Sequence, residues 1–342
     1  MTPGHVPGVF NVIMDYPRMT MPPFWAPTAS LARLRARARH LATIRCFFAE
    51  RDVLEVETPV LGQGGSTDPY LASLSLEAST PEGRRQLWLQ TSPEGHMKRL
   101  LAAGSGPIFQ LARVFRDGET GRRHNIEFTM LEWYRPGMRF DALIDETCAL
   151  ISRVLGKPLA VTRLRYREVF KAHVGLDPLT ASLDVLRLRT EEAAGVAAHD
   201  WSRDVCLDLL MSYQVEPALG RGCLSVVQDF PASQAALARC HRDDDGEEVA
   251  SRFEVYHEGM ELANGYDELT DAVQQRQRFN ADAEARREAG LPRVAPDERL
   301  LLALQAGLPP SCGVALGVDR LVMLAEQADT LSEIMAFDSH VC

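Results

Sequence analysis

The sequence predicts an α+β domain in which helices flank an antiparallel sheet. Three observations carry that expectation. Ile108–Arg116 and Glu127–Arg135 are strand-like runs joined by a polar, glycine-bearing loop, and RFEVYHEGMELANG (Arg252–Gly265) can fold back on itself at HEG. CGVALG, a glycine-punctuated strand, runs straight into an apolar helix within Cys312–Glu326. Strands and helices do not alternate in the regular way a doubly wound parallel sheet requires.

The composition is that of a globular chain. Its 342 residues are 46% hydrophobic and 25% charged, which excludes a disordered or fibrous protein and leaves one large domain or two average ones open. A formal net charge of −10 works against broad contact with a phosphate backbone, which draws on clustered Lys and Arg, so tRNA binding is not expected. Cys46, Cys148, Cys206, Cys223, Cys240, Cys312 and Cys342 form no CxxC pair and are read as reduced thiols. With no signal-peptide pattern and no apolar stretch of membrane-spanning length, the expected location is cytoplasmic and away from membranes.

In chain order, residues 1–27 are rich in Pro and Gly without periodicity and read as an N-terminal tail, and 28–342 carry the domain. Leu31, Leu34, Leu41, Ile44, Phe47 and Phe48 recur at helical spacing, with an arginine-rich face read as solvated. VLEVETP alternates apolar and acidic residues and reads as a strand ending at Pro59. LWLQ (Leu87–Gln90) reads as a short strand, with Ser92 capping a helix whose first residue is Pro93 and which stops at Gly104. After the first hairpin, about 141–223 carries helical patterns, suggests no chemistry and is read as an insertion. SVVQDFP (Ser225–Pro231) reads as a strand, HRDDDGEE (His241–Glu248) as a solvated loop, and QQRQRFNADAEARREAG as a helix.

Three clusters could do chemistry. In FRDGETGRRHNIEFTMLEWY, Arg116, Arg122, Arg123 and His124 stand beside Glu127, Glu132 and Tyr134. Guanidinium groups suit phosphate oxygens, at roughly 1.5–3 kcal/mol per charge-assisted bond, and carboxylates suit ammonium groups. The same pattern also describes a surface hairpin laced with ion pairs. Glu254 and Glu261 flank the HEG turn, where they can face each other and hold an ATP-bound Mg²⁺, while Glu268 points elsewhere; solvent-facing glutamates are the plain alternative. In GVALGVDRL, glycines permit close backbone approach and Arg320 opens a helix whose positive end favours anions. GQGGST (Gly62–Thr67) lacks the ending of a P-loop and reads as a flexible loop, no histidine has metal-ligand spacing, and no nucleophile triad is present.

Together, the helix and strand ending VLEVETP, the FRDGETGRRHNIEFTMLEWY hairpin and GVALGVDRLVML resemble the three signature motifs of class II aminoacyl-tRNA synthetases. TSPEGHMKRLL, HNIEFTMLEWYRPG, FEVYHEGMELANGYDELTD and GVALGVDR are similar to the lysyl-tRNA synthetase catalytic domain, and most of all to its freestanding paralogues, the elongation factor P lysine ligases, over roughly Leu31–Phe337. Those paralogues lack the amino-terminal anticodon-binding domain, for which this chain has no room either. The resemblance implies a ligase that uses ATP to activate (R)-β-lysine, and less well α-lysine, as an adenylate. Pyrophosphate leaves and the aminoacyl group passes to a lysine of elongation factor P.

Carried over by motif, Arg116 meets the α-phosphate and the substrate carboxylate, and Arg320 the terminal phosphates. His124 and Asn125 help seat ATP, with Asp117, Gly118, Glu261, Leu262 and Gly317 completing the nucleotide site. Glu254 and Glu261 would carry Mg²⁺. Ser92 and Glu94 would meet the amino group near the carboxylate, and Tyr134 and Glu268 the distal ammonium. Ala315 stands where lysyl-tRNA synthetases have glycine, which favours β-lysine. The first helix and the strand ending at Pro59 resemble the class II dimer motif and imply a homodimer. One departure concerns adenine: the family reads Arg-Asn-Glu where this chain reads Arg116-Asp117-Gly118, followed by Glu119, so either Glu119 shifts by one residue or backbone groups take over. Two other readings are a different acceptor, such as tRNA, and a catalytically dead paralogue acting as a regulatory subunit.

Overall fold

Helix α1 (Leu31–Ala49) begins where Ser30 accepts the Arg33 N–H at 3.3 Å and buries Ala36, Ile44, Phe47 and Phe48. The computed structural model describes residues 25–341, so the expected tail lies outside the described residues except for 25–27, as does Cys342. The other elements are β1 (Leu54–Glu55), β2 (Leu61–Gly62), β3 (Ser75–Thr80), β4 (Gly83–Leu89), α2 (Glu94–Ala102), β5 (Ile108–Phe115), β6 (Glu127–Pro136), α3 (Phe140–Val154), β7 (Val161–Arg165) and α4 (Tyr166–Val174). They continue with α5 (Leu183–Ala194), α6 (Arg203–Leu210), β8 (Leu224–Pro231), β9 (Cys240–Arg242), β10 (Glu248–His257), β11 (Met260–Asp267), α7 (Ala272–Glu288), α8 (Glu298–Gly307), β12 (Ser311–Gly317) and α9 (Val318–Ala325).

The main sheet runs β1-β5-β6-β12-β11-β10-β8-β7, with β9 added to β10. From β5 to β8 every pairing is antiparallel, and the two outermost, β1 with β5 and β7 with β8, are parallel. Side chains alternate across a strand, and here the alternation divides core from site. Phe109, Leu131, Trp133, Val226, Val255, Val314 and Leu316 face one way and pack with α1, α3 and α9 into the largest apolar cluster. Gln110, Glu132, Tyr134, Glu254, Asn264 and Ala315 occupy the intervening positions on the other face. The second hairpin turns at Glu258 and Gly259, whose φ values of 50° and 67° are the left-handed pair of a tight two-residue turn.

Several elements depart from expectation. VLEVETP contributes only Leu54 and Glu55 to the sheet, as a parallel edge strand, because its pairing ends once the Val56 N–H has reached Phe109 O at 2.9 Å. β3 and β4 form a separate three-stranded sheet with β2 whose polar, exposed residues carry no apolar alternation. HRDDDGEE is the turn of the β9–β10 hairpin rather than a free loop, and α8 had no sequence signal assigned to it. α2 starts at Glu94, one residue after Pro93, and ends at Ala102. Within 141–223, α3 covers the main sheet and β7 extends it, while α4–α6 share a cluster around Phe170, Leu207 and Leu210 that packs against β8.

The arginine face of α1 is not simply solvated. Arg37 pairs with Asp319 at 2.6 Å and donates to Thr129 Oγ1 at 2.9 Å, while Asp319 accepts the Thr129 N–H at 2.7 Å. This buried clasp joins α1, β6 and α9, one element from each of the three motif segments. Arg33 donates to the Glu326 carbonyl, and His40 contacts the Glu326 carboxylate at 2.8 Å.

Candidate active site

Strand register builds the floor of a cavity of about 970 Å³. Across five strands, Gln110, Glu132, Ala315, Asn264 and Glu254 stand directly opposite one another in one row. The next row reads Ile108, Tyr134, Gly313, Tyr266 and Arg252. Residues opposite one another in adjacent strands project to the same side, so the row brings residues more than a hundred positions apart in sequence onto one surface. Glu254 is opposite Asn264, and Glu261 is opposite Tyr256, with a register shift between Val255 and Tyr256. The two glutamates are therefore not the facing pair expected at the hairpin, yet both line the cavity, and burial first, then the Glu261 charge, raise the Glu254 pKa.

One end of the cavity is cationic. Arg116 closes the first hairpin, its N–H donating to Ile126 O at 2.9 Å, and its guanidinium lies 5.3 Å from the Phe128 ring centroid. Its Nη1 reaches Glu119 at 3.4 Å, and its buried Nε has no partner. Arg320, in the first turn of α9, donates from Nη2 to His124 Nε2 at 2.6 Å and from Nη1 to Glu261 O at 3.1 Å. Burial and the adjacent guanidinium lower the His124 pKa, which keeps the imidazole neutral and able to accept that bond. Glu119 lines the cavity, whereas Asp117 and Gly118 are not among its lining residues. Asn125 lines it with both polar ends engaged: Nδ2 donates to Glu127 O at 2.7 Å and Oδ1 accepts the Ser339 N–H at 2.9 Å. Leu262 and Gly317 complete this wall, and Gly317 N-caps α9.

The acids beyond Arg320 repel one another. Glu254 is buried, pairs with Arg252 at 2.5 Å and accepts the Tyr256 hydroxyl. Burial first, then the charges of Glu261 and Glu254, push Glu216 up to about 8. Among the described residues no cluster of three or more His, Cys, Asp or Glu has metal-holding geometry. Mg²⁺, however, takes only one or two protein carboxylates when nucleotide phosphates supply the rest, and Glu254 and Glu261, though paired with Arg252 and Arg320, offer a set of that size in one cavity.

The opposite end is a closed polar pocket. Ser92 donates to Glu132 Oε1 at 2.5 Å and Tyr134 to Glu132 Oε2 at 2.8 Å. The Lys98 ammonium sits 2.5 Å from Glu94 Oε1 and 2.5 Å from Glu268 Oε2. Lys98, Glu132 and Glu268 are each 2% exposed. Burial pushes Glu132 up to about 7, helped by the nearby Glu94 charge. The two carboxylates hold Lys98 above the ordinary lysine range despite its burial, so the lysine is ionised. Gly313 makes this packing possible: a Cβ there would collide with the Tyr134 ring and Glu268 Oε1.

The structure thus gathers Ser92, Glu94, Tyr134, Glu268 and Ala315 at one end of a single cavity and Arg116, His124, Asn125, Glu261, Leu262, Gly317 and Arg320 at the other, with Glu254 at the far end of the floor row from Glu132. The sequence placed Glu132 in the first hairpin's cluster without a specific role, and did not single out Lys98, Arg252, Asn264, Tyr266 or, from the helical stretch read as inert, Asp208. Asp208 lines the cavity, accepts from Gln234 at 2.8 Å and is pushed up to about 7 by burial. GQGGST also lines the cavity, tethered to α7 where Thr67 donates to Asp282 at 3.1 Å.

An antiparallel sheet with a row of acids on one face and two arginines at one end of the same cavity has the architecture of a class II synthetase catalytic domain. Residues 25–340 match the family model described as tRNA synthetases class II (D, K and N), and the chain belongs to that family. Within it, the chain is 50% identical over 317 residues to the elongation factor P–(R)-β-lysine ligase of Histophilus somni (strain 2336), covering 92% of this chain and 97% of the relative. It is 48% identical over 321 residues to the protein of the same name from Haemophilus influenzae (strain PittGG), with coverage of 93% and 98%. The Edwardsiella ictaluri (strain 93-146) protein of that name is 50% identical over 317 residues, with 92% and 97% covered.

Proposed function

We propose that this chain is an ATP-dependent ligase that activates (R)-β-lysine, and less well α-lysine, as an adenylate and passes it to a lysine side chain of elongation factor P. The observation that carries this is the pairing, within one cavity, of two cavity-facing guanidinium groups with a closed acid pocket that suits a diamino acid. The relatives' shared name supplies the acceptor. In the first step a substrate carboxylate oxygen attacks the α-phosphorus and pyrophosphate leaves, so the protein's part is to align the reactants and neutralise charge. Arg116 holds the α-phosphate and substrate carboxylate, and Arg320, fixed by His124 and Glu261, holds the terminal phosphates. Glu254 and Glu261 hold Mg²⁺, which screens phosphate charge when bound. Glu119 takes the place by the adenine left open by Asp117 and Gly118. In the second step the acceptor amine attacks the adenylate carbonyl and AMP leaves.

Ser92 and Glu94 serve the amino group near the reacting carboxylate, and Tyr134 and Glu268 the distal one. Ala315, between Glu132 and Asn264 in the floor row, takes up room that α-lysine would use. The chain acts as a cytoplasmic homodimer, and the exposed apolar side chains of Leu54, Val60 and Leu61 offer surface that a second copy would cover. Incubating the protein with ATP, (R)-β-lysine and elongation factor P adds the mass of one β-lysyl group to the factor. No adduct, together with efficient charging of tRNA, would sink this reading.

A further inference from the structure

The amino-acid pocket holds an ammonium of its own. Lys98 comes from α2, Glu94 from the same helix one turn earlier, Glu132 and Tyr134 from β6, and Glu268 from the end of β11. Lys98, Glu132, Tyr134 and Glu268 are buried, and the Glu94 side chain is 19% exposed. A buried lysine bridging two acids need not stabilise the fold much, because desolvation offsets much of the attraction. Its position is more informative. Glu94 and Glu268, the two acids assigned to the substrate's two ammonium groups, are the two that Lys98 touches, each at 2.5 Å.

We propose that Lys98 is a built-in counter-ion and positioning residue that sets the charge of this pocket for a doubly cationic amino acid. Three carboxylates against one ammonium leave two negative charges, which the two ammonium groups of a diamino acid meet. Lys98 also fixes Glu94 and Glu268 before substrate arrives, leaving their second oxygens for it. In the empty pocket burial pushes Glu132 up to about 7 and Glu268 up to about 8, so both are poised to carry protons near neutrality and the full negative charge appears when a cation enters. An amino acid with one ammonium leaves a buried carboxylate uncompensated and is rejected by charge, whatever its shape.

This rests on the diamino-acid reading above, and charge reversal tests it separately. Lys98→Met leaves three uncompensated acids and raises the KM for (R)-β-lysine about tenfold or more, with the KM for ATP unchanged. Glu132→Gln leaves one net negative charge and also raises it. The double variant Lys98→Met/Glu132→Gln restores the net charge and brings the KM back to within about threefold of the parent. Losses that simply accumulate in the double variant overturn the proposal, since a lysine that only props up the fold gives that pattern. Should Lys98→Met fail to fold, Lys98→Gln carries the same comparison. If the parent protein binds no diamino acid by calorimetry, the proposed function falls and this inference with it; if it binds one and the double variant shows no recovery, the inference alone falls.

Discussion

The two ends of the cavity are built on opposite plans. At the phosphate end the charged groups are partly exposed and lightly held: the side chains of Arg116 and Arg320 are each 25% exposed, and the Arg320–Glu261 pair stands 3.7 Å apart. At the amino-acid end Lys98 and Glu268 are 2% and 1% exposed at the side chain, and the oxygens of Glu132 are already committed to Ser92 and Tyr134. The difference suits the ligands proposed for the two ends. A triphosphate brings its own strong charge, so partly exposed arginines suffice to hold it, whereas a small cation must be recognised by acids already in place.

The largest effect should come from the phosphate end. Arg320→Ala lowers the rate of adenylate formation by about a thousandfold or more, because a preorganised cation at developing charge is lost. Stability changes by no more than about 0.5 kcal/mol, as for other partly exposed positions outside the core. Pyrophosphate exchange and urea melts measure the two together; unchanged exchange would remove Arg320 from the phosphate site. Glu268→Gln should invert that ratio. It strips Lys98 of a buried partner and costs about 3 kcal/mol of stability, along with weaker binding of the amino acid. If Glu268→Gln melts like the parent, the amino-acid end is not preorganised by ion pairing and the contrast between the ends collapses.

A smaller effect is expected at the boundary. Ala315→Gly removes one methyl group between Glu132 and Asn264 and should shift preference towards α-lysine by about tenfold. Competition between the two lysines in pyrophosphate exchange reads this directly, and an unaltered ratio would refute the role given to Ala315.

How much of this was legible in the sequence depends on the kind of signal. Strand period two is strong where one face is apolar: Leu131 and Trp133 mark the core face of β6, and the same alternation already places Met130, Glu132 and Tyr134 together on the other face. That alternation could have given Glu132, already noted among the hairpin's acids, its place beside Tyr134 on the cavity face. The HEG turn was legible because Gly259 supplies one of two consecutive left-handed residues. Of the β3–β4 hairpin only the apolar end of β4, read as LWLQ, was legible, since the rest has neither face buried enough to pattern its residues. Lys98 and Arg37 were unreadable for another reason. A helix lysine or arginine is nearly always solvated, and only the tertiary arrangement that brings Glu268 or Asp319 beside it reveals an inward side chain. The antiparallel core could be predicted from its hairpins, but the parallel strands at its edges join segments whose pairing leaves no local trace.

The smallest effect, and the one that separates the two ends by pH, concerns Glu132. Its carboxyl holds its proton up to about 7 in the folded protein against an ordinary value of 4.5, because burial disfavours the anion. Between those values the folded state binds more protons than the unfolded one, so stability falls as pH rises through that window. Asp208, pushed up to about 7, and Glu216, up to about 8, act in the same direction. Glu132→Gln removes one contributor, so the melting temperature of the ligand-free variant should decline less steeply from pH 5 to pH 8 and lie above the parent's at the alkaline end. (R)-β-lysine should erase the difference in the parent by drawing the proton off Glu132, which appears as proton release on binding at neutral pH in buffers of differing ionisation enthalpy. Equal slopes for variant and parent would mean that Glu132 is already ionised in the empty pocket, and the acid end would then be as open to solvent as the arginine end.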